Sequence, residues 1–160
     1  MRTTAVPVAA AVAMLALLSA GCGSCETGGQ AAIEYWGGTT NIIPGEAPPE
    51  VRRYETSLPF AEYLHFPAGR RFDLMHRLDA APYDVQAFLS FERIPGEASE
   101  DDNTGNFAQA SGNQFVVECI DDERVRVRND TCAEGYLRVV LVADAVSTPP
   151  EEPCKAVAPE

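Results

Sequence analysis

The side chains that could carry out chemistry are few and lie far apart in the sequence. The two histidines, His65 and His76, fall on opposite faces of their predicted strands, so we do not expect them to share a metal ion. Ser90 and Ser111 have no placed histidine or carboxylate that would act as a base, and the sequence contains no hydrolase, zinc-peptidase or phosphate-loop motif. We therefore predict a protein that is not an enzyme and uses no cofactor. A site assembled from distant loops remains the least favoured alternative.

One pattern in the acidic segment 97–113 resembles a metal site. Asp101, Asn103 and Gly105 stand at alternate positions, as at the start of a calcium-binding loop. The third Asp or Asn and the distal Glu of such a loop are missing. A solvated acidic loop is the favoured interpretation, with Asp101 and Asn103 as the calcium alternative.

The N-terminal 22 residues carry the strongest motif of the chain. A cationic start precedes an apolar run over residues 5–18, which is too short to cross a bilayer and has the length of a signal-peptide core. The run ends Leu18-Ser19-Ala20-Gly21-Cys22. Small residues directly before a cysteine resemble the lipobox of bacterial lipoproteins. The alternative is an ordinary secretory signal, which would leave Cys22 as a plain thiol.

The resemblance implies how the protein would be held in the cell. In lipoproteins the peptide bond before the cysteine is cut, so residues 1–21 would be removed and Cys22 would carry diacylglycerol. Each buried acyl CH₂ contributes about 0.8 kcal/mol, so two or more chains hold firmly. Gly23, rather than Asp, follows the cysteine, which in Gram-negative members implies sorting to the outer membrane. The expected location is the cell envelope, with the membrane as partner through the acyl chains on Cys22.

Four further cysteines suggest disulfides, because an exported chain meets an oxidising environment. Three connectivities are open to Cys25, Cys119, Cys132 and Cys154. In the predicted strand register, Cys132 lies too far from Cys119 for a disulfide. The strand that ends near residue 143 brings the chain back to the end of the hairpin where Cys119 lies, so Cys154 could reach Cys119. We therefore expect Cys119–Cys154 and Cys25–Cys132, with a buried, unpaired Cys119 as the alternative.

Apolar residues recur with a period of two through residues 51–144, and no convincing helical period occurs outside the signal. This pattern predicts an all-β fold, a small antiparallel β-sandwich of about six to eight strands. Residues 22–50, which contain many Gly and Pro, predict a flexible tether in which 31–36 forms an edge strand. Residues 145–160 predict an extended tail rich in Pro and acids.

Two hairpins follow from matching apolar and charged side chains across strands. A three-residue turn at 121–123 would place Cys119 opposite Val125 and Glu118 opposite Arg126. A turn at 67–69 would pair residues 60–64 with residues 72–76. Residues 137–143 are apolar on both faces except at Arg138, as in a central strand.

The net charge of the chain disfavours some classes of binding partner. The chain has 24 Asp plus Glu against 12 Lys plus Arg, a net charge of −12. This excess argues against nucleic acid, and against an anionic membrane surface, as a partner of the protein surface. The leading hypothesis is a lipid-anchored structural or interaction module with an unidentified protein or glycan partner. The runner-up is an adhesin-like domain that binds a carbohydrate or another ligand by stacking it on aromatic side chains. Its candidate residues are Tyr35, Trp36, Tyr63 and Phe88.

Overall fold

Ten β-strands and one short 3₁₀ helix form the regular structure of the computed structural model, which describes residues 31–43, 50–96, 107–145 and 154–155. The alternating sequence pattern accounts for the strands, since each turns one set of side chains inward and the other outward. In chain order they are β1 (Ile33–Tyr35), β2 (Thr39–Ile43), β3 (Val51–Glu55), β4 (Leu64–Phe66), β5 (Arg71–Met75), β6 (Asp84–Ser90), β7 (Phe107–Gln109), the 3₁₀ helix Gly112–Gln114, β8 (Val116–Ile120), β9 (Arg124–Arg128) and β10 (Gly135–Asp144).

The strands form two sheets. One has the order β1-β5-β9-β8, and the other has the order β2-β3-β10-β6-β7, with β4 also paired to β10. The pairs are antiparallel except for β1 and β5, which run parallel. The predicted all-β sandwich is confirmed, and its strand number within the described residues exceeds the expected six to eight.

The central strand of the larger sheet is β10. It pairs with β6 along one side, and with β3 and then β4 along the other. Its buried residues Leu137, Val139 and Leu141 meet Leu74, Val125 and Val127 of the smaller sheet in one hydrophobic core. A strand with neighbours on both sides and a covered outer face favours apolar residues at nearly every position, as residues 137–143 have.

The hairpin formed by β8 and β9 corrects the predicted register near its turn. Val117 lies opposite Val127 as expected, but a β-bulge at Glu118 shifts the pairing, so that Cys119 faces Arg126 and Ile120 faces Val125. Glu118 accepts hydrogen bonds from Arg71 of β5 at 2.9 Å and from Arg128 at 2.7 Å. The predicted Glu118–Arg126 pair is therefore absent from this hairpin.

The predicted hairpin across residues 67–69 is also wrong. The turn exists, with the Arg70 N–H donating to the Pro67 carbonyl at 3.2 Å. However, β4 before it pairs with β10 of the larger sheet, while β5 after it pairs with β1 and β9 of the smaller sheet. The chain crosses from one sheet to the other at this turn.

The folded domain reaches further along the chain than its predicted limits at 51 and 144. Residues 33–35 and 39–43, within the predicted tether, form β1 at the edge of one sheet and β2 at the edge of the other. Beyond β10, Cys154 is buried and its N–H donates to Asp121 Oδ2 at 3.2 Å. The Lys155 carbonyl accepts a hydrogen bond from Arg126 at 2.9 Å. The tail is thus attached to the outer face of the smaller sheet at these two residues.

The predicted disulfide between Cys119 and Cys154 is present, with the two Cα atoms 5.2 Å apart. Cys132 is also disulfide-bonded. Its predicted partner Cys25 and the predicted lipidation residue Cys22 both lie outside the described residues.

The described elements include no helix that is both long and apolar enough to cross a membrane.

Candidate functional site

A groove of about 300 Å³ opens beside the connection between β1 and β2. The indole of Trp36, the residue after β1, stands at this groove with 64% of its surface exposed. Thr39 and Thr40 of β2 line one part, and Met75 and Arg77 at the end of β5 line another. The parallel pairing of β1 with β5, in which Tyr35 lies opposite Leu74, brings these distant segments together. The groove combines one flat aromatic surface with mainly polar neighbours.

Two glycines fix the backbone of this groove. The hydroxyl of buried Tyr54 donates to the Gly37 carbonyl at 2.8 Å, which holds the β1–β2 connection against β3. Gly38 has a φ of +94°, and a Cβ there would lie 2.6 Å from the Glu55 carbonyl oxygen. Only glycine meets both requirements without displacing its neighbours. The backbone of Gly37 and Gly38, which forms the floor of the groove, is therefore held in place before any ligand binds.

Arg77 is the charged group of the groove. It is exposed, and it forms no ion pair or hydrogen bond with the rest of the described chain. The arginines of the described ranges are otherwise paired with carboxylates, except Arg70. Arg77 therefore brings to the groove a positive charge that is in no ion pair within the described chain, whereas the nearby Glu34 carboxylate is bonded to the indole N–H of Trp36.

Two further contacts shape the groove wall. The Trp36 indole N–H donates to Glu34 Oε2 at 3.1 Å, which restrains the ring while leaving its face open. Burial raises the pKa of the Tyr54 hydroxyl well above its usual value, so this group stays protonated and remains a donor to Gly37.

The four aromatic residues predicted to stack on a ligand do not form one surface. The Tyr35 hydroxyl donates to the Thr56 carbonyl at 3.2 Å, and its ring packs against the core. Tyr63 is buried, with 2% of its surface exposed. Phe88 lies under the Arg138 guanidinium, 5.1 Å from the ring centroid. Of the four, Trp36 is the residue with an exposed ring face, whereas buried Tyr63 offers no ring face to a ligand.

Tyr63 and Phe88 instead belong to an aromatic cluster on the outer face of the larger sheet. Both contact Phe107, with ring centroids 6.3 Å and 6.0 Å from it, and Phe60 contacts it at 5.8 Å. The segment between β3 and β4 supplies Phe60 and Tyr63, so it covers this face. The cluster also explains why Arg138 is buried: it pairs with Glu55 at 2.6 Å beneath that segment.

A second cleft, of about 170 Å³, lies where β10 begins. Phe91, 87% exposed, stands at its rim beside Leu89, Ala108 and Ala133. Buried Asn129 supports this end by donating to the carbonyls of Phe66 at 3.0 Å and Ala133 at 2.8 Å. This second cleft lacks an unpaired charged side chain such as Arg77 in the Trp36 groove.

The residues with catalytic potential do not converge. His76 is buried, and neither of its ring nitrogens has a hydrogen-bond partner within the described residues. Ser90 is buried, and its hydroxyl accepts a hydrogen bond from the Glu92 N–H at 2.9 Å. Among the residues placed by the structure, no three His, Cys, Asp or Glu side chains cluster as metal ligands. The calcium candidates Asp101 and Asn103 lie outside those residues.

Sequence reasoning found Trp36 but missed the rest of the groove. Gly37 and Gly38 fall within the predicted flexible tether of residues 22–50, and the sequence pattern does not single out Arg77. The signal that could have found the two glycines is local: the sequence Trp-Gly-Gly-Thr-Thr over residues 36–40.

Comparison with known proteins adds no precedent for this arrangement. The chain matches no protein-family model, no curated protein and no solved structure.

Proposed function

We propose that this protein is a lipid-anchored, non-catalytic binding module of the bacterial cell envelope, attached through acyl chains on Cys22. The observation that carries this proposal is the sequence Leu18-Ser19-Ala20-Gly21-Cys22 after an apolar run of signal-peptide length. Its resemblance to the lipobox, together with Gly23, favours the outer membrane of a Gram-negative cell. In the acylation step, the Cys22 sulfur forms a thioether to the diacylglyceryl carbon of a phospholipid. The headgroup phosphate leaves, and the thiol proton is released.

The start of β1 limits how far the domain can stand from such an anchor. Ten residues separate Cys22 from Ile33, where β1 begins. A fully extended chain of this length spans at most about 35–40 Å. The predicted tether of 22–50 would have reached more than twice as far, so the strands at 33–35 and 39–43 hold the domain closer to the bilayer.

Mass spectrometry of the protein purified from bacterial membranes tests the anchor. We expect a mature chain that starts at Cys22 and carries diacylglycerol, and we expect Cys22→Ser to carry no acyl chain and to show no cleavage before residue 22. Cys132→Ser, which also replaces one cysteine by serine, is the matched control and should remain acylated. An unmodified mature chain in the soluble fraction would contradict the proposal.

A second candidate function, carbohydrate binding, is supported by the Trp36 groove. An exposed indole face in a groove lined by polar residues suits a sugar ring, which presents an apolar face and a rim of hydroxyls. A glycan array probed with the full mature chain tests it, with Trp36→Ala expected to lose the signal and Phe91→Ala, at another exposed aromatic residue, expected to keep it. An array without signal, alongside a protein partner recovered from membranes, would favour the general interaction module.

A further inference from the structure

We propose that the Trp36 groove binds an acidic saccharide, with the indole stacking on a sugar ring and Arg77 pairing with a carboxylate on that sugar. This inference rests on the proposed carbohydrate-binding function and specifies its ligand class. The evidence is the combination of an exposed aromatic face, an unpaired guanidinium and a rigid polar floor within one groove of about 300 Å³.

The charge argument comes from the pairing of the other arginines. Arg52, Arg124 and Arg128, which are also partly exposed, each contact at least one carboxylate. In a chain with twice as many acids as bases, a free arginine at a groove is available for an anion from outside. Arg70 is the other unpaired arginine of the described ranges, but it lies at the opposite end of β5 and does not line the groove.

The stacking argument comes from Trp36. Its side chain is held by Glu34 through the indole N–H, so the ring already has a bonded edge and an open face. Gly37, Gly38, Thr39 and Thr40 line the groove beside it, with the side chains of the two threonines on opposite faces of β2. These neighbours offer hydrogen bonds to sugar hydroxyls, whereas an apolar peptide would need an apolar lining.

The groove lies at one end of the β5–β9 pair, and the Cys132 loop follows the other end. Along β5 and β9, the pairing runs from Arg71 opposite Arg128 to Met75 opposite Arg124. Arg77 lies beyond Met75, near the 121–123 turn, while disulfide-bonded Cys132 lies beyond Arg128 at the other end. The groove and the Cys132 loop are therefore at opposite ends of the domain.

Trp36 is the only tryptophan of the chain, so its fluorescence reports directly on the groove. The acylated protein in detergent micelles would be titrated with trigalacturonate and, in parallel, with its fully methyl-esterified form, which keeps the rings but removes the charges. We expect a saturable change in emission with trigalacturonate and roughly ten-fold weaker binding of the ester, since one charge-assisted hydrogen bond is lost.

Arg77→Gln should weaken trigalacturonate binding by roughly ten-fold while Arg77→Lys recovers part of it, because the lysine keeps a positive charge but not the planar fork. Arg70→Gln and Phe91→Ala are the matched controls and should bind as the wild type does. Unchanged melting temperatures would show that the Arg77 variants remain folded.

Each contrary outcome has a distinct meaning. Equal binding of acid and ester, or an Arg77→Gln variant that binds normally, would overturn the acidic ligand while leaving carbohydrate binding in place. Binding of glucose 6-phosphate without binding of trigalacturonate would replace the carboxylate by a phosphate and also overturn the proposal. A Trp36 signal that responds to none of these sugars would overturn both the ligand class and the carbohydrate function.

Discussion

Arg126 of β9 and Asp73 of β5 form a two-point ion pair on the outer face of the smaller sheet, with Arg126 Nε 2.6 Å from Asp73 Oδ1 and Nη2 2.8 Å from Oδ2. Both residues are buried, although they lie on the outer face. The segment at Cys154 and Lys155 explains this, since the Lys155 carbonyl accepts a further hydrogen bond from Arg126. The hydrogen bond to Asp73 also raises the pKa of Arg126. This pair connects two neighbouring strands to the tail.

Removing the carboxylate of this pair should be costly. Asp73→Ala leaves the Arg126 guanidinium buried without its counter-charge, and we expect a loss of about 3–5 kcal/mol in the free energy of unfolding. Asp73→Asn keeps one acceptor and should lose less. Urea denaturation measures these values. Glu62→Ala, which breaks the exposed pair with Arg93, is the control and should cost at most about 1 kcal/mol. Equal losses for Asp73→Ala and Glu62→Ala would contradict the structural role.

The disulfide that holds the tail should contribute on a similar scale. Cys119 and Cys154 are 35 residues apart in the chain, and closing a loop of that length is worth about 3–4 kcal/mol in the chain-entropy model. We expect the free energy of unfolding of the Cys119→Ser/Cys154→Ser variant to be lower by this amount, and its urea midpoint to be lower accordingly. Reducing agent should destabilise the wild type further than the variant, because only the wild type retains this bond. A variant as stable as the wild type would indicate that attaching the tail through this disulfide does not stabilise the fold.

The remaining cysteines provide a separate prediction. Cys132 is disulfide-bonded, and with Cys119 and Cys154 paired to each other the sequence leaves Cys22 and Cys25 as candidate partners. If Cys22 carries the lipid, Cys25 is the partner. Non-reducing peptide mapping of the acylated protein should therefore find Cys25 linked to Cys132. A Cys22–Cys132 peptide would contradict both this pairing and the thioether on Cys22.

The alternating pattern was sufficient to predict the fold class, because inward and outward positions depend on local residue types. The central strand, predicted at 137–143 and observed at 135–144, and the two strands that flank the turn at 121–123 follow that pattern. The strand register was less accessible. The predicted Glu118–Arg126 pair assumed an isolated hairpin, whereas the third strand, β5, supplies Asp73 to Arg126 and Arg71 to Glu118. Matching the residues of two strands does not reveal ion-pair partners that a third strand provides.

The candidate site was even harder to predict, for a related reason. Trp36 drew attention by its type, but its groove depends on β1 running parallel to β5, some forty residues further along the chain. Sequence spacing gives no indication of such a contact, and that is why Arg77 was overlooked. The turn at 67–69 was mistaken for a hairpin because sequence patterns do not say to which sheet each strand belongs.

Acid should weaken the fold through His76. Burial lowers the pKa of its imidazole below the usual 6.5, with a partial opposing effect from nearby Asp121. The unfolded chain therefore binds this proton at a higher pH than the folded chain does, so stability falls as the pH drops from 6.5 towards the folded-state pKa. The slope from this one group is at most about 1.4 kcal/mol per pH unit.

Urea denaturation between pH 7.5 and 5 would measure that slope. We expect His76→Gln to have a flatter stability profile than the wild type over this range. His65→Gln, at the exposed histidine, controls for removing one histidine from the unfolded chain. Parallel profiles for the wild type and His76→Gln would show that His76 does not cause the pH dependence.

The strictest backbone requirement in the groove is at Gly38. Gly38→Ala would put a Cβ 2.6 Å from the Glu55 carbonyl oxygen and 2.8 Å from the Tyr54 ring, at a φ of +94° that alanine rarely adopts. We expect a loss of about 1–3 kcal/mol in the free energy of unfolding and weaker binding of any Trp36 ligand, because the floor must shift. Gly112→Ala is the matched control: it also has a positive φ, of +61°, but a Cβ there meets nothing within 4 Å. It should cost less and leave the emission of Trp36 unchanged. If the two alanine variants destabilise the protein equally and both retain ligand binding, the close approach of β2 to β3 does not hold the groove in shape.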